Sequence, residues 1–430
     1  MRKFCLCLGI LVLGAMLMTA CGKSAETPVE TPTTEITATP EPTEEPDPTP
    51  TPKPTATPKP TVTPMGANLP EGLNLLNTYG TTFERIGTCV TLGHLTDKTA
   101  VDLLLNNYNS ITMENEMKPD AILGGSAKLI TIEEAKELGY VIPENYADEM
   151  VPSLKFYSTD RALSFCADHN LGLRGHTLVW HSQTPNWFFR EGFSSKGEYV
   201  SPEVMDARME FYIRSVMGHV YDHEDGYVLY SWDVVNEYIH AENSGWEAVY
   251  GDEGLTPGFV KKAFMIADDV LRQYGVREEV SLLYNDFGTY SIVTQILKLL
   301  DFINEEGTQS YCDGVGMQSH VGPDDPPVIK YKLAMQNFLE AGYEVHVTEL
   351  DVQTKISMYQ DTYYYDLLTA MLELKTAGGD VHGITLWGLA DSYSWKKENK
   401  PLLYSTLRNP KSAYYKVLEA YVDFGLYTEE

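Results

Sequence analysis

Short apolar runs alternate with helix-like segments along most of this chain, and that alternation limits its fold more than any other feature. The runs fall at 85–90, 110–113, 172–179, 229–235, 280–284, 313–317, 344–348 and 383–386. Unbroken apolar strands of this kind are buried on both faces, as in a parallel sheet covered by helices. Between them lie recognisable helix starts. Ser201-Pro202 and Thr256-Pro257 each set a capping hydroxyl before a proline at the first helical position. Thr131 and Glu134 have capping-box spacing, and His94 with Asp97 begins the first helix. Eight strands separated by helices within residues 67–430 predict a single closed (β/α)8 TIM barrel. An open doubly wound sheet is the alternative, but no glycine-rich phosphate turn follows the first strand.

The preceding residues differ in kind. Residues 1–20 carry Arg2 and Lys3, an apolar stretch and then small residues, the pattern of a secretion signal. LMTAC at its end resembles a bacterial lipobox, with Met18 a less usual residue at its position and Cys21 as the lipidated residue; ordinary cleavage and free secretion is the alternative. From Gly22 to Gly66, 13 Thr and 12 Pro dominate 45 residues without one aromatic. Such a segment buries too little apolar surface to offset its ordering entropy. Residues 21–66 therefore read as an anchor and extended stalk. The expected location is the outer face of a bacterial cell envelope, or the medium, with the only membrane contact through the lipid.

Net charge is −29, of which residues 1–66 supply −2 (five basic, seven acidic) and the domain −27. That balance argues against nucleic acid and anionic lipid as partners. Cys89, Cys166 and Cys312 are widely spaced and odd in number, which suits buried thiols better than a disulfide framework or a metal site. A monomer is expected, and neither metal nor organic cofactor.

Out-of-place polar and aromatic residues gather where the strands end, the catalytic rim of such a barrel. ENEMK (114–118) follows the second strand; His176, Trp180, His181 and Gln183 follow the third. The fourth ends in Asn236-Glu237, the sixth in Gln318-Ser319-His320, the seventh in Glu349 with Asp351, and the eighth in Trp387. All six tryptophans lie in or just beyond these ends. Two glutamates raised from different strands onto one rim match the pair that cleaves glycosidic bonds, about 5 to 5.5 Å apart when configuration is retained. Period-two geometry puts Asp351 on the face of Glu349, with His320 placed between them; this setting suits a nucleophile kept ionised. Glu237 lies among Trp232, Val234 and Val235, an apolar setting that suits a proton donor. Asn236 is placed to hold a sugar 2-hydroxyl, Glu114, Asn115 and Lys118 to bond other hydroxyls, and Trp387 with Trp395 to form a stacking floor.

ENEMKPD, LRGHTLVWHSQTPNW, SWDVVNE, YND, GMQSH, VTELDV and LWGLADSYSW, in this order from Arg85 to Trp395, resemble glycoside hydrolase family 10, chiefly endo-β-1,4-xylanases. The resemblance implies retention, with Glu237 as acid/base and Glu349 as nucleophile. It also implies sugar contacts from Glu114, Asn115, Lys118, His176, Trp180, Gln183, Asn236, Gln318, His320, Trp387 and Trp395, and a pocket that Gln183 and Trp387 close to a hydroxymethyl group. Xylan is the expected substrate. Alternatives are a related barrel acting on β-1,4-glucan or mannan, and a non-catalytic glycan-binding lipoprotein, which predicts a replaced Glu237 or Glu349. Two departures stand out: a long stretch at 120–155, which either extends the cleft or packs outside the barrel, and YNDFG where Tyr-Asn is commoner after YND.

Overall fold

A computed structural model describes Gly66, residues 69–305 and residues 310–428. The expected signal, the Cys21 anchor and all of the stalk but Gly66 lie outside the described residues. Eight parallel strands form the barrel wall: β1 Arg85–Val90, β2 Ser110–Met113, β3 Gly172–Trp180, β4 Leu229–Asn236, β5 Ser281–Asp286, β6 Gly314–Met317, β7 Glu344–Val352 and β8 Val381–Leu386. They pair in chain order, and β8 returns to β1 with Arg85 opposite Gly383 and Thr88 opposite Leu386, so the sheet closes. After each strand the chain crosses back through a helix, the longest being Pro202–Asp222 and Ser357–Thr376.

β7 runs on to Val352 because Asp351 and Val352 find ladder partners in the two-residue strand His320–Val321. The apolar signal fades at Glu349, but the backbone pairing does not. Ser201 caps its helix as expected, Asp97 caps Lys98–Asn107, and Thr131 with Glu134 makes both bonds of a capping box. Thr256 does not cap: its hydroxyl donates to the Glu253 carbonyl, and the helix begins at Gly258 with Pro257 before it.

Alternation within β4 divides its neighbours. Trp232 faces the outer helices, where its Nε1 donates to the Tyr221 hydroxyl and its ring lies against Gly175, too close for any Cβ there. Asp233 faces the barrel interior with Arg174 and His176, all three buried. Cys89, Cys166 and Cys312 are buried and free.

The 120–155 stretch packs outside the barrel. It contains a hairpin of Leu129–Thr131 and Met150–Pro152, and Tyr140 and Tyr146 lay their rings on Phe211 of the Pro202–Asp222 helix. Asp148 fixes it there. Its carboxylate accepts from Nε and Nη2 of Arg208 (2.7 and 2.6 Å), whose Nη1 donates to the Phe188 and Arg190 carbonyls. The Arg208 side chain is wholly enclosed, so Asp148→Ala would strand a buried charge. We expect a loss of about 3 kcal/mol in denaturant unfolding, with little change in turnover. A loss below about 0.5 kcal/mol would mean that water replaces the carboxylate at no cost.

Candidate active site

Glu237 directly follows β4 in a left-handed conformation (φ 58, ψ 35), which a residue with a Cβ adopts at a cost of roughly 1 kcal/mol. Its N–H is held by the Asn285 carbonyl (2.8 Å). The carboxylate accepts from Trp180 Nε1 at Oε2 (2.8 Å) and from Gln318 Nε2 at Oε1 (2.7 Å). His181 Nε2 lies 3.9 Å from Oε2. These neighbours correct the expectation of a purely apolar setting, although Val235 lines the cavity beside the glutamate. Trp232, five residues earlier, turns its indole to the outer helices, where it donates to the Tyr221 hydroxyl.

Glu349 lies within β7 and is 4% exposed. Asn285 Nδ2 donates to Oε1 (2.9 Å), and His320 Nε2 is 3.3 Å from Oε2. His320 Nδ1 meets Asp351 Oδ2 at 3.0 Å, so the imidazole bridges both acids. Trp395 Nε1 and Gln353 Nε2 also donate to Asp351 (2.9 and 3.1 Å). Burial opposes charge on His320, but the charge and hydrogen bond of Asp351, then those of Glu349, raise its pKa to about 10. Burial likewise pushes Glu349 up, yet the His320 hydrogen bond and the charges of His176, His320 and Arg174 bring it down to about 2. Arg174 stands beneath, ion-paired to Asp233 and donating to the Thr348 carbonyl (2.9 Å), and Asp233 also receives His176 Nδ1 (2.7 Å).

Amides join the two glutamates. Asn285 contacts Glu349, the side chain of Asn236 lies within hydrogen-bonding distance of both Asn285 and Gln318, and Gln318 contacts Glu237. Gly316 makes room, since a Cβ there would sit 2.3 Å from Asn285 Oδ1. Lys118 is buried; its Nζ donates to Asn115 Oδ1 (3.1 Å) and lies over the Trp180 ring. Burial draws it below the usual lysine value, against the pull of Glu349, and raises Glu114. Gln183 is turned toward Asp120 (3.3 Å).

The tryptophans separate into two groups. Trp180, Trp387 and Trp395 border the glutamates; Trp395 is half exposed, while Trp387 is 5% exposed, edge-on to His176 and above Arg174. Trp187, Trp232 and Trp246 are packing residues, so strand-end position alone overstated the cluster. Trp246 also lines a cavity of about 560 Å³ beside Glu237, with Trp180, His181, Asn236, Tyr238 and Asn243. Phe287, the departure after YND, is exposed and stacked on His240 at 3.9 Å, which Asp286 holds through Nδ1 (2.7 Å). His181 lies on the rim expected from the sequence without an assigned role, and Asn285, contained in YND, is a site residue that the sequence does not single out.

The bridging imidazole has a pH consequence. Glu349 is depressed, so its charge stabilises the fold above about pH 4.5 and that contribution is lost as pH falls through about 2. His320 is raised, so its contribution is complete below about 6.5 and lost as pH rises through about 10. In His320→Ala the acid limb of kcat/KM should therefore move up by about one pH unit or more. An unmoved limb in the pH–rate profile would assign the depression of Glu349 to Arg174 and His176 instead.

The model of glycosyl hydrolase family 10 matches residues 74–420. Endo-1,4-beta-xylanase A of Butyrivibrio fibrisolvens is 45% identical over 353 residues, 82% of this chain and 85% of that protein. The bifunctional endo-1,4-beta-xylanase XylA of Ruminococcus flavefaciens is 33% identical over 344 residues, 78% of this chain but 33% of its own length. Among solved structures, the CBM22-1-GH10 modules of Clostridium thermocellum endo-1,4-beta-D-xylanase 10B, complexed with xylohexaose, align with a TM-score of 0.65 at 31% identity. That alignment covers 78% of this chain and 65% of the other.

Proposed function

This chain belongs to glycosyl hydrolase family 10, and from that premise we propose an endo-acting β-1,4-xylanase that retains anomeric configuration, with Glu349 as nucleophile and Glu237 as acid/base. One observation carries the division of labour. Glu349 alone is bridged to a second carboxylate through an imidazole whose charge persists to about pH 10, so it stays ionised at neutral pH.

The reaction follows in two displacements. Glu349 attacks the anomeric carbon as the glycosidic bond breaks, and Glu237 gives its proton to the departing oxygen. A glycosyl ester on Glu349 results. Water then loses a proton to Glu237, adds to the anomeric carbon and expels Glu349, leaving both acids as they began. Arg174 and His320 spread positive charge beneath the nucleophile, and Asn236, Gln318, Lys118, Asn115, Glu114, His176 and Gln183 are assigned to sugar hydroxyls. Trp180, Trp387 and Trp395 supply apolar faces for pyranose rings. No step needs a metal or cofactor.

Product profiling on xylan, carboxymethylcellulose and mannan tests the reading: short xylo-oligomers with a β-anomer appearing first are expected. Faster release from cellulose or mannan would overturn the substrate, and a first-formed α-anomer the mechanism. The N-terminal segment is assigned to export and to lipid attachment at Cys21, with the enzyme working as a monomer outside the cell. Cys21→Ala should then move activity from the membrane fraction to the medium; unchanged partitioning would remove the anchor. Light scattering of the soluble domain at twice the monomer mass would remove the monomer.

A further inference from the structure

A second concavity, of about 640 Å³, opens between the segment after β7 and the loop carrying Trp395. Lys355, Lys397, Lys400 and Lys411 line it, with hydroxyls from Thr354 and Ser357. Asp391 and Glu398 are its acids, so the lining carries an excess of two positive charges on a chain of net −29. Lys411 is paired with Asp391 (2.9 Å). Lys355, Lys397 and Lys400 make no ion pair among the described residues. The Ser357–Thr376 helix starts at the same wall, and no side chain caps it, so its positive end adds to the lysines.

The wall is fixed in place. Buried Gln360 donates to the Val352 carbonyl (2.8 Å) and the Lys400 carbonyl (2.7 Å), tying the end of β7 to the loop. The pocket also adjoins the reaction centre. Asn399 Nδ2 donates to Gln353 Oε1 (3.3 Å) and Gln353 Nε2 to Asp351 Oδ1 (3.1 Å), two hydrogen bonds from the partner of His320. Trp395, in the same loop, donates to Asp351 from the other side.

We propose that this pocket receives the carboxylate of a uronic acid side group carried by the polysaccharide. A molecule of this charge repels an acidic polymer at long range, so a local cluster of unpaired ammonium groups is where such a side group gains a contact. Hydroxyls beside the lysines suit a sugar acid, and the volume exceeds what a small inorganic anion fills. The proposal rests on the xylanase reading and adds a substituent to its substrate.

Turnover on glucuronoxylan is compared with turnover on the same polymer after its carboxyl groups are reduced to alcohols, for the wild type and for the triple variant Lys355→Ala, Lys397→Ala, Lys400→Gln. KM on the acidic polymer should rise about tenfold in the variant, and KM on the reduced polymer should stay put. Equal changes on both polymers, or none on either, overturn the pocket. Calorimetry with a glucuronic-acid-substituted xylotriose needs no turnover. Tighter binding than plain xylotriose, lost in the variant, is expected, and equal affinities overturn the proposal. Displacement by millimolar phosphate as readily as by free glucuronate would make the pocket a general anion site and overturn the uronate assignment. A wild type that cleaves neither polymer sinks the xylanase reading, while the calorimetric arm still decides the pocket.

Discussion

Glu349→Ala should lower kcat on xylan by about four to six orders of magnitude and leave a protein that azide revives. The size follows from what is lost. Without the carboxylate there is no covalent intermediate, and the charges of His320 and Arg174 face a gap where the oxocarbenium ion needs a negative partner. The same gap explains the rescue. Asn285 Nδ2 and His320 Nε2 remain as donors around the space of the two missing oxygens, a cradle for a small anion. Azide entering there attacks from the nucleophile's side and inverts once, with Glu237 still able to protonate the leaving oxygen. The product should be an α-linked xylosyl azide, identified by its anomeric proton coupling. A β-linked azide from this variant would exchange the roles of the two acids. Rescue also separates chemistry from folding, because a collapsed barrel gives no product with any anion.

The barrel was legible because its eight strands are short, apolar and buried on both faces, so each run announces itself without tertiary context. Where the fold departs from the local sequence signal, tertiary context is the cause. Thr256 has the spacing of a helix cap, but the Glu253 carbonyl takes its hydroxyl, a competition that spacing does not reveal. The apolar pattern of β7 ends at 348, where Glu349 and Asp351 interrupt it, although the ladder continues through His320–Val321. Trp232 is close to Glu237 in sequence, yet its indole faces the outer helices, because one residue of register sends a strand side chain to the opposite face. His320 was placed correctly between Glu349 and Asp351 because that inference used the alternation itself. Asn285 is silent in the sequence for another reason: its importance lies in the atom it approaches after folding, 2.9 Å from Glu349 Oε1, whereas His181 stands on the predicted rim and only its approach to Glu237 Oε2, 3.9 Å, needs the structure.

Glu237→Ala should fail in a way that depends on the leaving group, and this distinguishes a proton donor from a merely structural acid. On xylan the departing alkoxide needs a proton as the bond breaks, so kcat should fall by about two to four orders of magnitude. On a dinitrophenyl β-xylobioside the leaving phenolate needs none. Glu349 is untouched, so the first displacement should proceed and release one burst of phenolate per enzyme. The glycosyl ester should then persist, because the water that resolves it has lost its base. Azide needs no base, so it should speed this second step and give a β-linked azide after two inversions, the mirror of the Glu349→Ala result. The surroundings favour a clean experiment. The Glu237 carboxylate, which accepts from Trp180 Nε1 and Gln318 Nε2, is itself partly exposed, so water can take its place once it is gone. Equal losses on xylan and on the activated substrate, with no burst, would show that Glu237 holds the sugar without transferring a proton. The acid would then have to be sought among its neighbours, His181 first.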